Sequence, residues 1–123
     1  MNFVTARKRA EGMGSAKDGT EHFWNMTVSS VALAILIPLF VFTIGPMLGR
    51  EHAEVAAYLG RPWPAIISAL TIVVSFMHFK NGARVLIEDY TGGLTRKGLI
   101  IGTSLLCYAA AATGLFAIVK LAL

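Results

Sequence analysis

Three stretches of this chain, residues 28–48, 64–87 and 98–123, are dominated by apolar side chains. Each is long enough to cross about 30 Å of hydrocarbon, which takes roughly 20 helical residues. Hydrocarbon offers no water to pair with peptide N–H and C=O groups, so such stretches must close their hydrogen bonds internally. The predicted fold class is therefore an all-α membrane protein with three transmembrane helices. The chain has 123 residues, of which 55% are hydrophobic and 15% charged, so little is left over for a soluble domain.

The segments between the spans are short. Residues 1–27 form a polar amino-terminal segment, 49–63 a first connection and 88–97 a turn. The first span (VSSVALAILIPLFVFTIGPML) has only Ser29, Ser30 and Thr43 as polar side chains; Pro38 should bend it, and Pro46 falls where it is expected to stop. A brief surface helix is expected in the first connection, with Trp63 anchoring at headgroup level. The formal charge of +4 does not point to nucleic acid, because the basic residues flank apolar runs instead of forming a stripe with interleaved aromatics. Arg7, Lys8, Arg9 and Lys17 precede the first span, and Arg96 and Lys97 lie in the turn, against Arg50 and Arg61 in the first connection. The positive-inside rule then places the amino terminus and the 88–97 turn in the cytoplasm, and the 49–63 connection in the periplasm. The basic amino terminus is not followed closely by an apolar core, so it is expected to be retained, in a bacterial inner membrane. Cys107 lies alone within the third span and is read as packing.

Most of the chemistry is in the second span. His78 sits past its middle, at a depth where a titratable ring is costly unless it is bound, paired or lines a cavity. At about 100° per residue, Thr71, Ser75, Gly82, Val85 and Asp89 share its face, a stripe of mainly small and polar side chains. Such a stripe is expected to face protein or cofactor. Gly82 leaves open the surface one turn beyond the ring, where a flat macrocycle would lie. Histidine is a common haem ligand whose second ring nitrogen donates to a nearby oxygen, for which Ser75 or Thr71 are candidates. A hydrogen-bonded interhelical histidine satisfies the same pattern, and His78 alone leaves both readings open. Asp89 follows about 16 Å further along the axis, with Tyr90 beside it. A phenol can donate to a quinone carbonyl while the carboxylate holds it or relays protons; an interfacial aromatic beside a solvated acid is the plainer alternative. Lys80 and Arg84 lie off the stripe and read as headgroup anchors.

Residues 78–90 (HFKNGARVLIEDY) combine a histidine, a glycine four residues on, and a closing Asp-Tyr. This segment resembles the haem- and quinone-site segment of the succinate dehydrogenase membrane anchor family, specifically its smaller, D-type hydrophobic subunit (the cytochrome b556 small subunit). Residues 14–23 (GSAKDGTEHF) resemble the glycine-containing segment before the first span of that family. The resemblance implies an anchor subunit of respiratory Complex II that is not itself the site of succinate oxidation. By this likeness His78 is an axial ligand of haem b, Tyr90 hydrogen-bonds ubiquinone, Asp89 supports that site, and His22 lies near the haem propionates. Where some members carry an arginine at the start of the first helix, this chain has Asn25, Met26, Thr27 and Val28. The resemblance further implies FAD in a flavoprotein subunit, clusters in an iron–sulfur subunit, and a second hydrophobic anchor subunit holding the other haem histidine.

The need for a partner also follows from the residues. His22 and His52 sit outside the apolar spans, so this chain offers one imidazole at haem depth, and the bundle is expected to be hetero-oligomeric. Gly98 with Gly102, and Ala110 with Gly114, have the spacing that permits close helix contact. No GxGxxG motif and no cysteine cluster occurs, so flavin and iron–sulfur chemistry belongs to other chains. The rival readings are a fumarate reductase or other b-type cytochrome anchor, and a small transporter or assembly protein in which His78 and Asp89 form a proton path.

Overall fold

The computed structural model describes residues 3–14 and 19–123. A short helix α1 (Ala6–Glu11) precedes the long helix α2 (Gly19–Ile44), which ends in a 3-10 turn, Gly45–Met47. A surface helix α3 (His52–Leu59) leads into α4 (Pro62–Tyr90), and a turn at Thr91 and Gly92 into α5 (Gly93–Ala122). Residues 15–18, which include Lys17 and part of the 14–23 segment, lie outside the described residues, as do Met1 and Asn2.

Three of these helices are long and apolar enough to span a membrane. Hydropathy marks where a helix is greasy, not where it begins. Thus α2 starts at Gly19, well before the apolar run, and carries His22, Asn25 and Met26 on helical turns that precede the span. It continues unbroken through Pro38 and tightens into the 3-10 turn at Pro46, where a ring without an N–H suits a first-turn position. Pro62 and Pro64 occupy the first turn of α4 for the same reason.

The central element is α4, whose packing against α5 and against α2 makes the two main helix–helix interfaces. Its buried residues, Pro64, Ala65, Ile67, Ser68 and Thr71, all belong to its first half. Thr43 is buried near the far end of α2. Beyond Thr71 the side chains of α4 are half-buried or exposed, so the bundle is close-packed at the Trp63 end and opens toward the Tyr90 end.

Two glycines set how closely elements approach. A Cβ at Gly114 would lie 3.0 Å from Ile72 Cγ2 and 3.2 Å from Cδ1, so the bare backbone of α5 receives the Ile72 side chain. A Cβ at Gly60 would lie 2.7 Å from the Leu121 carbonyl oxygen, which fixes the end of α3 against the end of α5. Gly98 and Gly102 have open space around them within this chain. Most of the surface is apolar, with Phe42, Ile101, Leu105, Leu106 and Phe116 all more than half exposed. A soluble monomer would not leave so much greasy area bare; here it faces lipid or other chains.

Two tests follow from this packing. Gly114→Leu should lower stability in detergent by about 1–3 kcal/mol through overpacking against Ile72, read by thermal unfolding, with Ile72→Ala restoring part of the loss. Cys107, at 2% exposure, should resist maleimide in the native protein and react only after denaturation.

Candidate functional site

Polar side chains within an apolar bundle must find one another or the backbone, since lipid offers no partner. His78 does this across the α2–α4 seam. Its Nδ1 lies 2.8 Å from Ser29 Oγ, joining residues 49 apart in sequence. The same Ser29 oxygen is 2.7 Å from the Asn25 carbonyl and 3.0 Å from that of Met26, both on its own helix. Among the described residues the other ring nitrogen, Nε2, makes no hydrogen bond. The ring is half-buried.

The oxygen facing His78 is therefore on α2, not on α4. Of the two candidates on its own helix, Thr71 turns its hydroxyl back to the Ile67 carbonyl at 2.7 Å. Ser75 makes no bond to the ring. A residue on the same face of the same helix points away from the helix beside its neighbour, whereas a residue on the facing helix can meet the ring head-on. The remainder of the stripe grades from buried Thr71, through half-buried Ser75 and Gly82, to exposed Val85 and Asp89. Ser68, at 2% exposure, belongs to the same seam and has an unpartnered hydroxyl among the described residues.

At Gly82, a Cβ would meet only Met26 Cε, at 3.9 Å. The helix face one turn above His78 is thus not filled by any bulky neighbour among the described residues. Further toward the Tyr90 end, α2 and α4 enclose a polar cavity of about 480 Å³ lined by Gly19, Glu21, His22, Asn25, Asn81, Arg84, Val85 and Glu88. His22 is half-buried in its wall. Arg84 is held to Glu88 by an exposed i,i+4 ion pair, Nε to Oε1 2.8 Å, which is worth little on its own. Its remaining guanidinium N–H groups stay available for an anion.

Asp89 and Tyr90 are not drawn into this cavity. Both are exposed at the last turn of α4, and Tyr90 is 81% accessible. Lys80 faces the other way. Its ammonium donates to the Tyr108 hydroxyl on α5 at 2.9 Å and lies 4.9 Å from that ring's centroid. Among the described residues no group of three or more His, Cys, Asp or Glu side chains is placed to hold a metal ion. Hence His78 and His22 line the α2–α4 seam, while the Asp89–Tyr90 pair forms a separate, outward-facing edge. Sequence reasoning missed Ser29, Asn25 and Asn81. The signal for Ser29 was a hydroxyl in the apolar stretch of one helix at the depth of a histidine in the next, antiparallel one.

Residues 1–117 match the family described as the succinate dehydrogenase/fumarate reductase transmembrane subunit. A succinate dehydrogenase hydrophobic membrane anchor subunit of Paracoccus denitrificans is 44% identical over 123 residues, covering 100% of this chain and 95% of its own. One from Rickettsia conorii is 32% identical over 101 residues, 80% of each chain. A succinate dehydrogenase membrane anchor subunit of Reclinomonas americana is 29% identical over 80 residues, covering 63% of this chain and 67% of its own. No solved structure is detectably similar.

Proposed function

The chain belongs to the succinate dehydrogenase/fumarate reductase transmembrane subunit family, and we propose that, as the membrane anchor of a succinate dehydrogenase, it uses His78 as an axial ligand of haem b and Tyr90, with Asp89, in the ubiquinone site. The observation that carries the haem assignment is the state of the His78 ring: Nδ1 is engaged by Ser29, and among the described residues Nε2 has no partner. An imidazole held at one nitrogen and unbonded at the other has the donor set of an axial ligand.

The surroundings fit the group. Gly82 leaves room beside the ring, and the adjoining cavity gathers N–H groups of His22, Asn25, Asn81 and Arg84 that can meet carboxylates, alongside the carboxylates of Glu21 and Glu88, of which Glu88 is already paired with Arg84. Bound there, haem would supply a one-electron carrier near the quinone. The residues of this chain would orient it, hold its acidic edge and shield its flank from lipid. One histidine is offered, so a second anchor subunit would provide the opposite ligand.

Quinone reduction consumes electrons and protons at one place. The exposed edge at Asp89 and Tyr90 has the chemistry for it: the phenol would donate to a quinone carbonyl, and the neighbouring carboxylate would pass protons from solvent. Because that edge is open on this chain, its other walls would come from the iron–sulfur subunit and the second anchor subunit. The flavoprotein subunit with FAD, and the iron–sulfur clusters, would deliver electrons from succinate. The succinate direction is favoured over fumarate reduction by the name of the 44% identical relative. The charge pattern supports a cytoplasmic amino terminus, and the short polar amino-terminal segment suits a bacterial inner membrane.

His78→Ala should abolish or strongly reduce the b-type Soret absorbance of the purified complex; an unchanged spectrum would refute the ligand assignment. Tyr90→Phe and Asp89→Asn should lower quinone reductase activity at least tenfold while succinate oxidation by a soluble dye is retained. Equal loss of both activities would argue against a quinone role. A carboxy-terminal alkaline phosphatase fusion should be active and one in the 88–97 turn inactive, the reverse pattern contradicting the orientation.

A further inference from the structure

We infer that Ser29 is the positioning residue for His78, fixing the imidazole as its Nδ1–H tautomer so that the Nε2 lone pair is presented for ligation. The inference rests on the haem reading of His78 and adds a residue on a different helix that sets the ring's protonation and electron donation.

A proton count gives the direction of the bond. The Ser29 hydroxyl has one hydrogen and two lone pairs, and it meets three polar atoms: the Asn25 carbonyl at 2.7 Å, the Met26 carbonyl at 3.0 Å and His78 Nδ1 at 2.8 Å. If the single hydrogen pointed at Nδ1, the hydroxyl oxygen would face two carbonyl oxygens at hydrogen-bond distance with no proton between them. The Met26 carbonyl already accepts from Ser30 at 2.8 Å. The Ser29 proton therefore goes to the Asn25 carbonyl, and the hydroxyl lone pair accepts from Nδ1–H. The neutral imidazole then carries its free lone pair on Nε2, the nitrogen without a partner among the described residues.

A hydroxyl that donates to a carbonyl is polarised into a better acceptor, though weaker than a carboxylate. Accepting from Nδ1–H, it strengthens electron donation from Nε2 modestly and holds the ring plane against rotation. Both effects depend on the oxygen, not on the size of the residue. The nearest protein atom over Gly82 is Met26 Cε, so the turn of α2 that carries this hydroxyl also borders the open face above the ring.

The test uses the purified complex, with haem content, haem midpoint potential and low-spin electron paramagnetic resonance as readouts. Ser29→Ala should leave the Nδ1–H unpaired, shift the midpoint potential to more positive values, change the largest g value, and lower haem retention on detergent washing. Ser29→Thr should behave as wild type. If Ser29→Ala does not assemble, Ser29→Thr against Ser29→Val provides the same comparison between near-isosteric side chains that differ in the hydroxyl. Thr with wild-type signals and Val with shifted ones supports the inference. Ala, Val and Thr variants all spectroscopically like wild type, or Thr and Val equally perturbed, overturns it. An unaltered haem spectrum in His78→Ala would instead remove the underlying ligand assignment, so the two failures are distinguishable.

Discussion

Hydrocarbon leaves polar groups no partner but each other, and the arrangement of this chain follows from that constraint. The backbone closes into three long helices. Of the few side chains that still carry hydrogen-bonding capacity at depth, Thr71, Ser30 and Thr113 turn back onto their own helix and others reach across to another, while the Ser68 hydroxyl has no partner among the described residues. His78 with Ser29, and Lys80 with Tyr108, are the cross-helix pairs, and they lie on opposite flanks of α4. The first joins α4 to α2 and the second joins it to α5.

This division explains why the proposed site residues gather on α4. A helix packed on two neighbours has one seam for each, and its polar stripe has been assigned to the α2 seam while Ile72 and Lys80 engage α5. The helix is buried around Ala65, Ser68 and Thr71 and only half-buried around His78. Tight packing at one end gives the histidine a fixed depth and register. The looser end provides room, bounded by His22, Asn25 and Asn81.

Much of this was legible from residue order. Three apolar runs longer than a bilayer is thick specify three spanning helices, and a period of about 3.6 aligns His78 with Thr71, Ser75 and Gly82. The start of α2 was not, because Gly19 to Thr27 is a polar helix and hydropathy is blind to it. Nor was the partner of His78: which hydroxyl meets the ring depends on the antiparallel register of two helices, a quantity absent from any single helix's pattern. Of the two small-residue pairs on α5, only the one ending at Gly114 is used within the chain. Spacing alone does not distinguish a glycine that receives Ile72 from one that faces outward, as Gly98 and Gly102 do.

The length of α4 has a mechanical consequence. Its 29 residues extend about 43 Å, against a hydrocarbon slab of about 30 Å, and the exposed Trp63 in its first turn suits an anchor at one membrane surface. Unless strongly tilted, the helix stands as a pillar about two turns proud of the lipid on the opposite side, with the acid and the phenol at its tip. A lipid-soluble molecule reaching that tip must lift its head clear of the acyl chains while its tail stays among them. On the proposed quinone role, a water-soluble protein closing over the tip would become part of the binding pocket, and its docking and access of the carrier would be a single geometric event.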